Sequence, residues 1–316
     1  MSAGSRISRR RLFAASGGLA ASGVFSAAPL AAITRRAPLA EGGALPVAQM
    51  LAVLEAGGTV IDGVLRVEIA RDDIGDVAGP AGVTFTPEFQ IHGSLAFQPL
   101  RNGLALLNGY HPVLATETNA FIDGVRDSGL TVQGFAQHYT ELEPQVWFVH
   151  LRGYGGPEGL ARAIRNAFGA TATPFPQTAP STQPGPIDPA LLAKILHGRA
   201  QITSGRVVRV GVARRDRIAL AGIALSPAAN VSTSVEFHPI GSSGGAAWAA
   251  PAFSLTGAEA FLVVKKMRSQ NWFVNSLCSH QTDEQPPLYF SHMLKSGNPY
   301  ELAREIRLGL ELTNSA

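Results

Sequence analysis

The segment CSHQTDEQPPLYFSH, residues 278–292, brings together side chains that bind transition metals. Cys278 and His280 stand two residues apart, Glu284 follows, and His292 lies beyond a Pro-Pro pair. Thiolate, imidazole and carboxylate groups are the usual ligands of zinc, and imidazole also suits copper and iron. The residue types and their spacing therefore predict a site for Zn, Cu or Fe. A packed, hydrogen-bonded sheet interior is the other interpretation.

A similar pattern occurs earlier in the chain, around His138 and His150. If a β-hairpin turns at Pro144, these two histidines lie directly opposite each other. The same geometry in a second hairpin places His280 opposite His292. Directly opposed residues have Cβ atoms about 4.5–5.5 Å apart, which is close enough for two imidazoles to bind one metal ion.

Each hairpin offers further ligands. Cys278 points to the same face as His280 because the side-chain period of a strand is two, and Glu284 lies near the turn. In the first hairpin Glu141 is the candidate third ligand, and Ala136 stands where the second hairpin has Cys278. The predicted metal ligands are Cys278, His280, Glu284 and His292, with His138 and His150 as a second, sparser set.

The histidine pattern occurs twice because the chain is internally duplicated. Residues 138–165 match residues 280–307 at a constant shift, and weaker matches extend upstream. The repeated unit spans roughly 125 residues, near 46–170 and 189–312, and so long a period predicts two similar domains rather than a solenoid. Residues 171–188, rich in Pro and Thr, predict a semi-rigid linker. We expect the two domains to pack as a pseudo-twofold pair.

Local patterns within each unit predict an α+β fold, with a mixed or antiparallel sheet and flanking helices. Pro at a first turn, Gly at an end and apolar residues at helical spacing predict helices at 46–58, 116–129, 157–168 and 188–198. Alternation of apolar and polar residues predicts a strand at 64–70. Further strands are predicted near 83–85, 94–98 and 104–107, and on both sides of Pro144.

Residues 1–36 predict an export signal. The sequence SRRRLF, residues 8–13, resembles the twin-arginine export motif and precedes a weakly apolar stretch at 12–32. We expect cleavage between about residues 26 and 37. The mature protein would then be periplasmic or extracellular, with no stable membrane anchor. An uncleaved anchor is the other interpretation, because the stretch is long enough to span a bilayer.

Composition excludes several classes of function. Six of the 26 Lys and Arg residues lie in the first 36 positions, and the rest of the chain carries 20 basic and 23 acidic residues, a net charge of −3. The mature surface therefore gives no reason to expect a nucleic-acid partner. Cys278 is the one cysteine, which excludes an intramolecular disulfide.

A charged triplet recurs at the end of a predicted strand. Arg71, Asp72 and Asp73 of the first repeat align with Arg215 and Asp216 of the second. One interpretation is an acid/base or substrate-orienting set. The other, which we favour, is a set of salt bridges that close the end of the strand.

The chain resembles a known family, the exported LppY/LpqO-like proteins that contain the domain of unknown function 1259. The resemblance rests on residues 135–155 and 277–292, on ARDDI (70–74) and ARRDRI (213–218), and on the helices with Glu117 and Glu259. It implies the fold, the duplication and export, and it brings no established activity. It also implies a His-x-His pair before each Pro, whose first position here holds Ala136 and Cys278.

The candidate residues support three hypotheses. The leading one is a binding protein that uses the hairpin histidines to hold a transition metal, or a small ligand through that metal. The second is a metal-assisted hydrolase or isomerase, with Glu284 and Asp216 as catalytic candidates for proton transfer. The third is a structural or interaction protein whose histidines are packed and bind no metal. The sequence leaves open whether the chain is an enzyme.

Overall fold

The alternating residues of the first repeat form a six-stranded antiparallel sheet. The computed structural model describes residues 43–179 and 183–316, so the predicted signal at 1–36 lies outside the described residues. The strands are β1 (Gly58–Ile61), β2 (Val64–Ala70), β5 (His92–Pro99), β6 (Ala105–Leu114), β7 (Thr131–Ala136) and β8 (Val146–Gly155), in the order β1-β2-β5-β6-β8-β7. A small ribbon of β3 (Val77–Ala78) and β4 (Thr84–Phe85) accompanies them.

The second repeat forms the same sheet. Its strands are β9 (Arg199–Ile202), β10 (Val208–Val212), β13 (Thr233–Pro239), β14 (Ala247–Thr256), β15 (Phe273–Cys278) and β17 (Leu288–Gly297), in the order β9-β10-β13-β14-β17-β15. A three-stranded sheet joins β11 (Ala219–Leu220), β12 (Ile223–Ala224) and β16 (Glu284–Gln285). The identical strand order confirms that the repeated sequence is a repeated fold.

Six helices flank the sheets in the described part of the chain. They are α1 (Val47–Leu54), α2 (Thr118–Asp127), α3 (Pro157–Phe168), α4 (Pro189–Leu196), α5 (Gly257–Arg268) and α6 (Pro299–Leu310). The four predicted helices are confirmed, and Asp188 caps α4 by accepting a hydrogen bond from the backbone N–H of Ala190 at 2.8 Å. No helix within 43–179 and 183–316 is long and apolar enough to cross a membrane.

The two faces of each sheet have different roles. In β2, Leu65, Val67 and Ile69 face the helices of the same repeat and form part of its core. Burying one such side chain stabilises the fold by about 1.5–3 kcal/mol. Arg66 and Glu68 alternate with them and therefore point to the opposite face. The helices thus cover one face of each sheet and leave a face that is rich in polar groups.

The polar faces of the two sheets meet each other. Asn108 donates a hydrogen bond to the Ala229 carbonyl, and Gln98 donates one to the Ala224 carbonyl, both at 2.8 Å. Two apolar clusters also contain residues of both repeats: one centres on β11 and β12 against the first sheet, and the other on β3 and β4 against the second. Each repeat therefore extends a small ribbon over its partner, and the layers run helix, sheet, sheet, helix.

Candidate metal centre

Four histidines meet at the contact between the two sheets. His138 and His150 come from the first repeat, His280 and His292 come from the second, and all four are buried. The sequence predicted two separate pairs, one on each hairpin. The structure instead gathers both pairs into one cluster, because each hairpin lies on the polar face that packs against the other repeat.

The predicted register of the hairpins is wrong. His150 lies opposite Gly134 rather than His138, and His292 lies opposite Ser276 rather than His280. The connection between β7 and β8 runs from 137 to 145, so the turn is not centred on Pro144. Register shifts also interrupt β7 between 132 and 134 and β15 between 274 and 276. The first histidine of each pair consequently lies beyond the end of its strand.

The rings form two stacks related by the duplication. Phe148 stacks on His138 at 3.8 Å between ring centroids, and His138 stacks on His292 at 3.9 Å. In the second stack, Phe290 lies 4.0 Å from His280, and His280 lies 3.9 Å from His150. Each stack therefore combines a Phe and a His of one repeat with a His of the other. These two equivalent contacts between the repeats support the expected pseudo-twofold packing of the two domains.

The ring nitrogens lie close enough to suggest a shared ion. His138 Nε2 and His150 Nε2 are 3.1 Å apart, and two ligands of a tetrahedral zinc ion are about 3.3 Å apart at bond lengths near 2.0–2.1 Å. One nitrogen of each of His138, His150 and His280 lies within 4.8 Å of the others. The Nε2 of His280 is buried without a hydrogen-bond partner among the described residues, and such an unpaired buried atom requires an explanation.

Ser276 fixes the tautomer of His292. Its hydroxyl donates to the carbonyl of His138 at 3.0 Å and lies 3.0 Å from His292 Nδ1. A serine has one hydroxyl hydrogen, so His292 Nδ1 must donate to the serine oxygen. The Nε2 of neutral His292 then carries a free lone pair. Histidine ligands of metals are commonly oriented by such a hydrogen bond at the other ring nitrogen.

The environment keeps the four imidazoles neutral. Burial lowers the pKa of His138 and of His280 well below the usual value, and the neighbouring histidines lower it further. Burial also lowers the pKa of His150 and of His292 to about 3. Neutral imidazole is the form that binds metals. The cluster is therefore uncharged at neutral pH, and the ring nitrogen that donates in the hydrogen bond between His138 and His150 must release its proton or change tautomer before both rings bind one ion.

The other predicted ligands of the second hairpin lie outside this group. Cys278 ends β15 opposite Phe290 and is half-buried. Glu284 pairs with Leu220 in the small three-stranded sheet, and its Oε1 accepts a hydrogen bond from the N–H of Leu288 at 2.7 Å. The chain leaves β15 after Cys278 and turns Glu284 towards β11. Among the described residues, the group of three close ligand atoms contains neither side chain.

The charged triplets form buried ion pairs at the strand ends. Arg71 binds Asp73 and Glu117 at 2.8 Å each, and its counterpart in the second repeat is Arg214, which binds Asp216 and Glu259. The predicted alignment with Arg215 is off by one residue. Glu117 and Glu259 stand at the first turns of α2 and α5, so these pairs tie a strand end to a helix start. Asp216, a predicted catalytic residue, belongs to this network, and Glu141 is exposed on its connection.

One short motif needs its structural context. Residues 241–245 read Gly-Ser-Ser-Gly-Gly and fit the Gly-x-Ser-x-Gly pattern of serine hydrolases. That motif requires a sharp turn from a strand into a helix. Here the segment is the turn between β13 and β14, two antiparallel strands. The segment therefore matches the motif in sequence only and lacks the strand-to-helix turn that a serine hydrolase requires.

A cavity of about 590 Å³ opens beside the histidine cluster, between the repeats. His138, His280 and His292 form one part of its wall, and Arg66, Tyr110 and Glu236 form another. None of these last three residues was among the candidates predicted from the sequence. The recurrence of RVEIA as RVGVA, which aligns Arg66 with Arg209, was the available signal. It did not show which face of the sheet would be buried against the partner repeat.

A second charged cluster lies on the same wall. Arg209 Nε donates to Glu236 at 2.8 Å, and another guanidinium nitrogen of Arg209 forms an ion pair with Glu68. Burial favours the protonated carboxyl of Glu236, but Arg209 and His92 outweigh it and lower its pKa to about 2. Glu236 is therefore ionised and fully engaged at neutral pH.

One family matches both repeats. The family described as Domain of Unknown Function (DUF1259) matches residues 48–170 and 190–312, so the chain belongs to this family and contains its domain twice. A search of curated proteins gives no match. Among solved structures, a trimeric bacterial microcompartment shell protein, PduB, aligns over 81% of this chain and 89% of its own, at 9% identity and a TM-score of 0.21. A TM-score of 0.21 does not indicate a shared fold.

Proposed function

We propose that this DUF1259 protein is a binding protein that holds one transition-metal ion between its two repeats. His138, His150 and His280 are three of its ligands, and we place His292, whose ring stacks on that of His138 and lines the cavity, as the fourth. The observation that carries the proposal is the convergence of three histidine nitrogens within 4.8 Å. The metal is Zn, Cu or Fe, because imidazole ligands suit these ions.

Two features favour a metal over a packed histidine core. A buried polar atom normally has a hydrogen-bond partner, yet His280 Nε2 has none among the described residues. Three of the four histidines also line the cavity, so an ion and a further ligand can reach them.

The cavity favours binding over metal-assisted hydrolysis or isomerisation. The enzyme considered above uses an Asp or Glu beside the metal for proton transfer, in addition to the metal itself. Glu236 is engaged by Arg209, and Asp62 forms an ion pair with Arg199 at 2.7 Å. No other Asp or Glu side chain lines the cavity in the described part of the chain. Glu284 and Asp216 do not line it either.

The proposal places the protein outside the cytoplasm. The support is the twin-arginine sequence at 8–13 and the apolar stretch that follows it. Cell fractionation of the full chain beside an Arg9→Lys/Arg10→Lys variant tests this. Export of the wild type and retention of the variant are expected. Equal distribution of the two would contradict it.

The deciding experiment is elemental analysis of the untagged mature protein after incubation with Zn²⁺, Cu²⁺ and Fe²⁺ and removal of the excess. One equivalent of metal is expected in the wild type, and none in a His280→Ala/His292→Ala variant. His197→Asn is the matched control, because His197 is an exposed histidine at the end of α4 that lines the cavity but lies outside the histidine cluster. Asn tolerates its left-handed backbone.

The control must keep its metal, and the circular dichroism spectra of all three proteins must agree. Absence of metal in the correctly folded wild type would overturn the proposal. Retention of a full equivalent in the double variant would place the metal elsewhere.

A further inference from the structure

We infer that the cavity beside the histidines is a binding site for a small organic monocarboxylate, whose carboxylate pairs with Arg66. This deepens the proposed function, since it names the class of ligand that occupies the cavity next to the metal. The Arg66 subsite itself needs no metal, and the two ideas are therefore tested separately.

The guanidinium of Arg66 has N–H groups that no described residue accepts. Its Nη1 donates to the Ala228 carbonyl at 3.0 Å, and its Nη2 donates to Ser94 Oγ at 2.9 Å. A guanidinium carries five N–H groups, so three have no partner among the described residues. Both contacts are to neutral oxygens, which hold the side chain in place and leave its charge unpaired. Arg66 lines the cavity, and an anion there can reach the free donors.

The other charged side chains of the cavity wall are already paired. Arg209 is bound by Glu236 and Glu68, and Arg199 is bound by Asp62. Arg66 forms no ion pair with any described carboxylate. Burial and the nearby Arg209 lower the pKa of Arg66 to about 10, which still leaves it protonated at neutral pH. Arg66 is therefore the guanidinium of this wall that lacks a carboxylate partner among the described residues, and a carboxylate on a ligand is its complement.

Tyr110 supplies a second donor on the same wall. It lies opposite Ser94, the partner of Arg66, and opposite His150 on its other side. Its hydroxyl has no hydrogen-bond partner among the described residues. Tyr110 thus stands between the guanidinium and the histidines. Arg66 and Tyr110 line the same cavity, so the inferred pose places the carboxylate at Arg66 on the side of this hydroxyl and the body of the ligand towards the cluster.

The duplication explains why the cavity has room for a ligand. Tyr110 pairs with His150 in the first sheet, and Ala252 takes the same position opposite His292 in the second. Ala250 similarly replaces Asn108. The second repeat therefore presents small side chains where the first presents large polar ones. With Phe148, these alanines give the wall an apolar part, which suits the hydrocarbon body of an organic acid better than a bare inorganic anion.

The test uses 4-fluorobenzoate as the probe, read by broadening of its ¹⁹F resonance on addition of the mature protein. The neutral amide 4-fluorobenzamide is its matched control. Each titration is run on metal-free protein after chelation and again with one equivalent of Zn²⁺. The proteins are the wild type, Arg66→Met, Arg66→Lys and Arg152→Met. Arg152 lies on the same sheet, pairs with Asp283 at 2.8 Å and does not line the cavity.

We expect the wild type and Arg152→Met to bind the benzoate and not the amide, in the metal-free protein as well. Arg66→Met should lose at least about tenfold in affinity, the effect of a charged hydrogen bond, and Arg66→Lys should lose less. Equal binding by the wild type and folded Arg66→Met would overturn the inference, as would the absence of benzoate binding. Displacement of the bound probe by phosphate at lower concentrations than by unlabelled benzoate would overturn the choice of a carboxylate. Binding without metal uptake would overturn the proposed metal site alone.

Discussion

His138 of the first repeat and His292 of the second stack face to face, with ring centroids 3.9 Å apart and planes 15° apart. Their duplicated counterparts, His280 and His150, stack at 3.9 Å and 22°. Residues more than a hundred positions apart therefore build one cluster. Neither repeat contains the whole cluster. The two histidine pairs predicted from the sequence therefore form one candidate site rather than two.

This arrangement predicts a stoichiometry of one metal per chain. His138→Ala and His280→Ala should each abolish binding, although they lie in different repeats, and the double variant should behave like either single one. Isothermal titration with Zn²⁺ measures this. Two independent sites, one per hairpin, would instead give two equivalents in the wild type and one in each single variant.

Ser276 should control affinity without being a ligand. Its hydroxyl orients the ring of His292, and loss of such a partner typically weakens metal binding by about 10–100-fold. We therefore expect Ser276→Ala to lower zinc affinity by that factor at unchanged stoichiometry. Competition with a chromophoric chelator gives the affinity. A variant that binds as tightly as the wild type would show that the hydrogen bond is incidental.

Cys278→Ser should leave the metal in place. Cys278 lies on the same strand as Ser276, two residues further along, but outside the group of close ligand atoms. We expect unchanged zinc affinity in this variant. For Co²⁺-loaded protein we expect no thiolate-to-metal charge-transfer band. Such a band in the wild type that disappears in the variant would restore Cys278 as a ligand.

Helices and strands were predicted well from the sequence because residues within each element, such as a first-turn Pro or an apolar–polar alternation, largely determine its type. The helix at 157–168 and the strand at 64–70 match α3 and β2 in both bounds. Pro157 at the first turn and the alternation of residues 64–70 are sufficient for these predictions.

The candidate site depended on contacts that local signals do not encode. The histidines were recognised from their type and recurrence, but the register shifts near 133 and 275 displaced their partners. The meeting of the two pairs depends on which faces of two sheets pack together. Arg66 and Tyr110 were missed for the same reason, since a polar residue on a strand indicates an exposed face unless a second sheet is known to cover it.

The metal-free protein should lose stability in mild acid. Burial holds the pKa of His150 and of His292 near 3 in the folded state, whereas an unfolded histidine has a pKa near 6.5. Below about pH 6.5 the unfolded chain binds more protons, so stability is complete above that pH and falls as the pH drops towards 3. Each such histidine contributes a slope of about 1.4 kcal/mol per pH unit. Urea unfolding in EDTA between pH 7.5 and 5 should show a shallower slope in His150→Gln than in the wild type or His197→Asn.

Glu284 should make the protein less stable as the pH rises, whereas the buried histidines make it less stable as the pH falls. It is buried, Leu142 occupies the equivalent position of the first repeat, and burial raises its pKa to about 7. The folded state therefore binds the extra proton between the unfolded value near 4.3 and about 7, and stability falls as the pH rises through this range. The cost of ionising the buried group reaches roughly 4 kcal/mol above pH 7. Glu284→Gln retains the oxygen that accepts from Leu288, so in urea unfolding it should match the wild type at pH 4, below the unfolded pKa, and exceed it at pH 8. Glu158→Gln, at an exposed position of α3, is the control. A variant that is no more stable than the wild type at pH 8 would show that the Glu284 carboxylate finds a partner when it ionises.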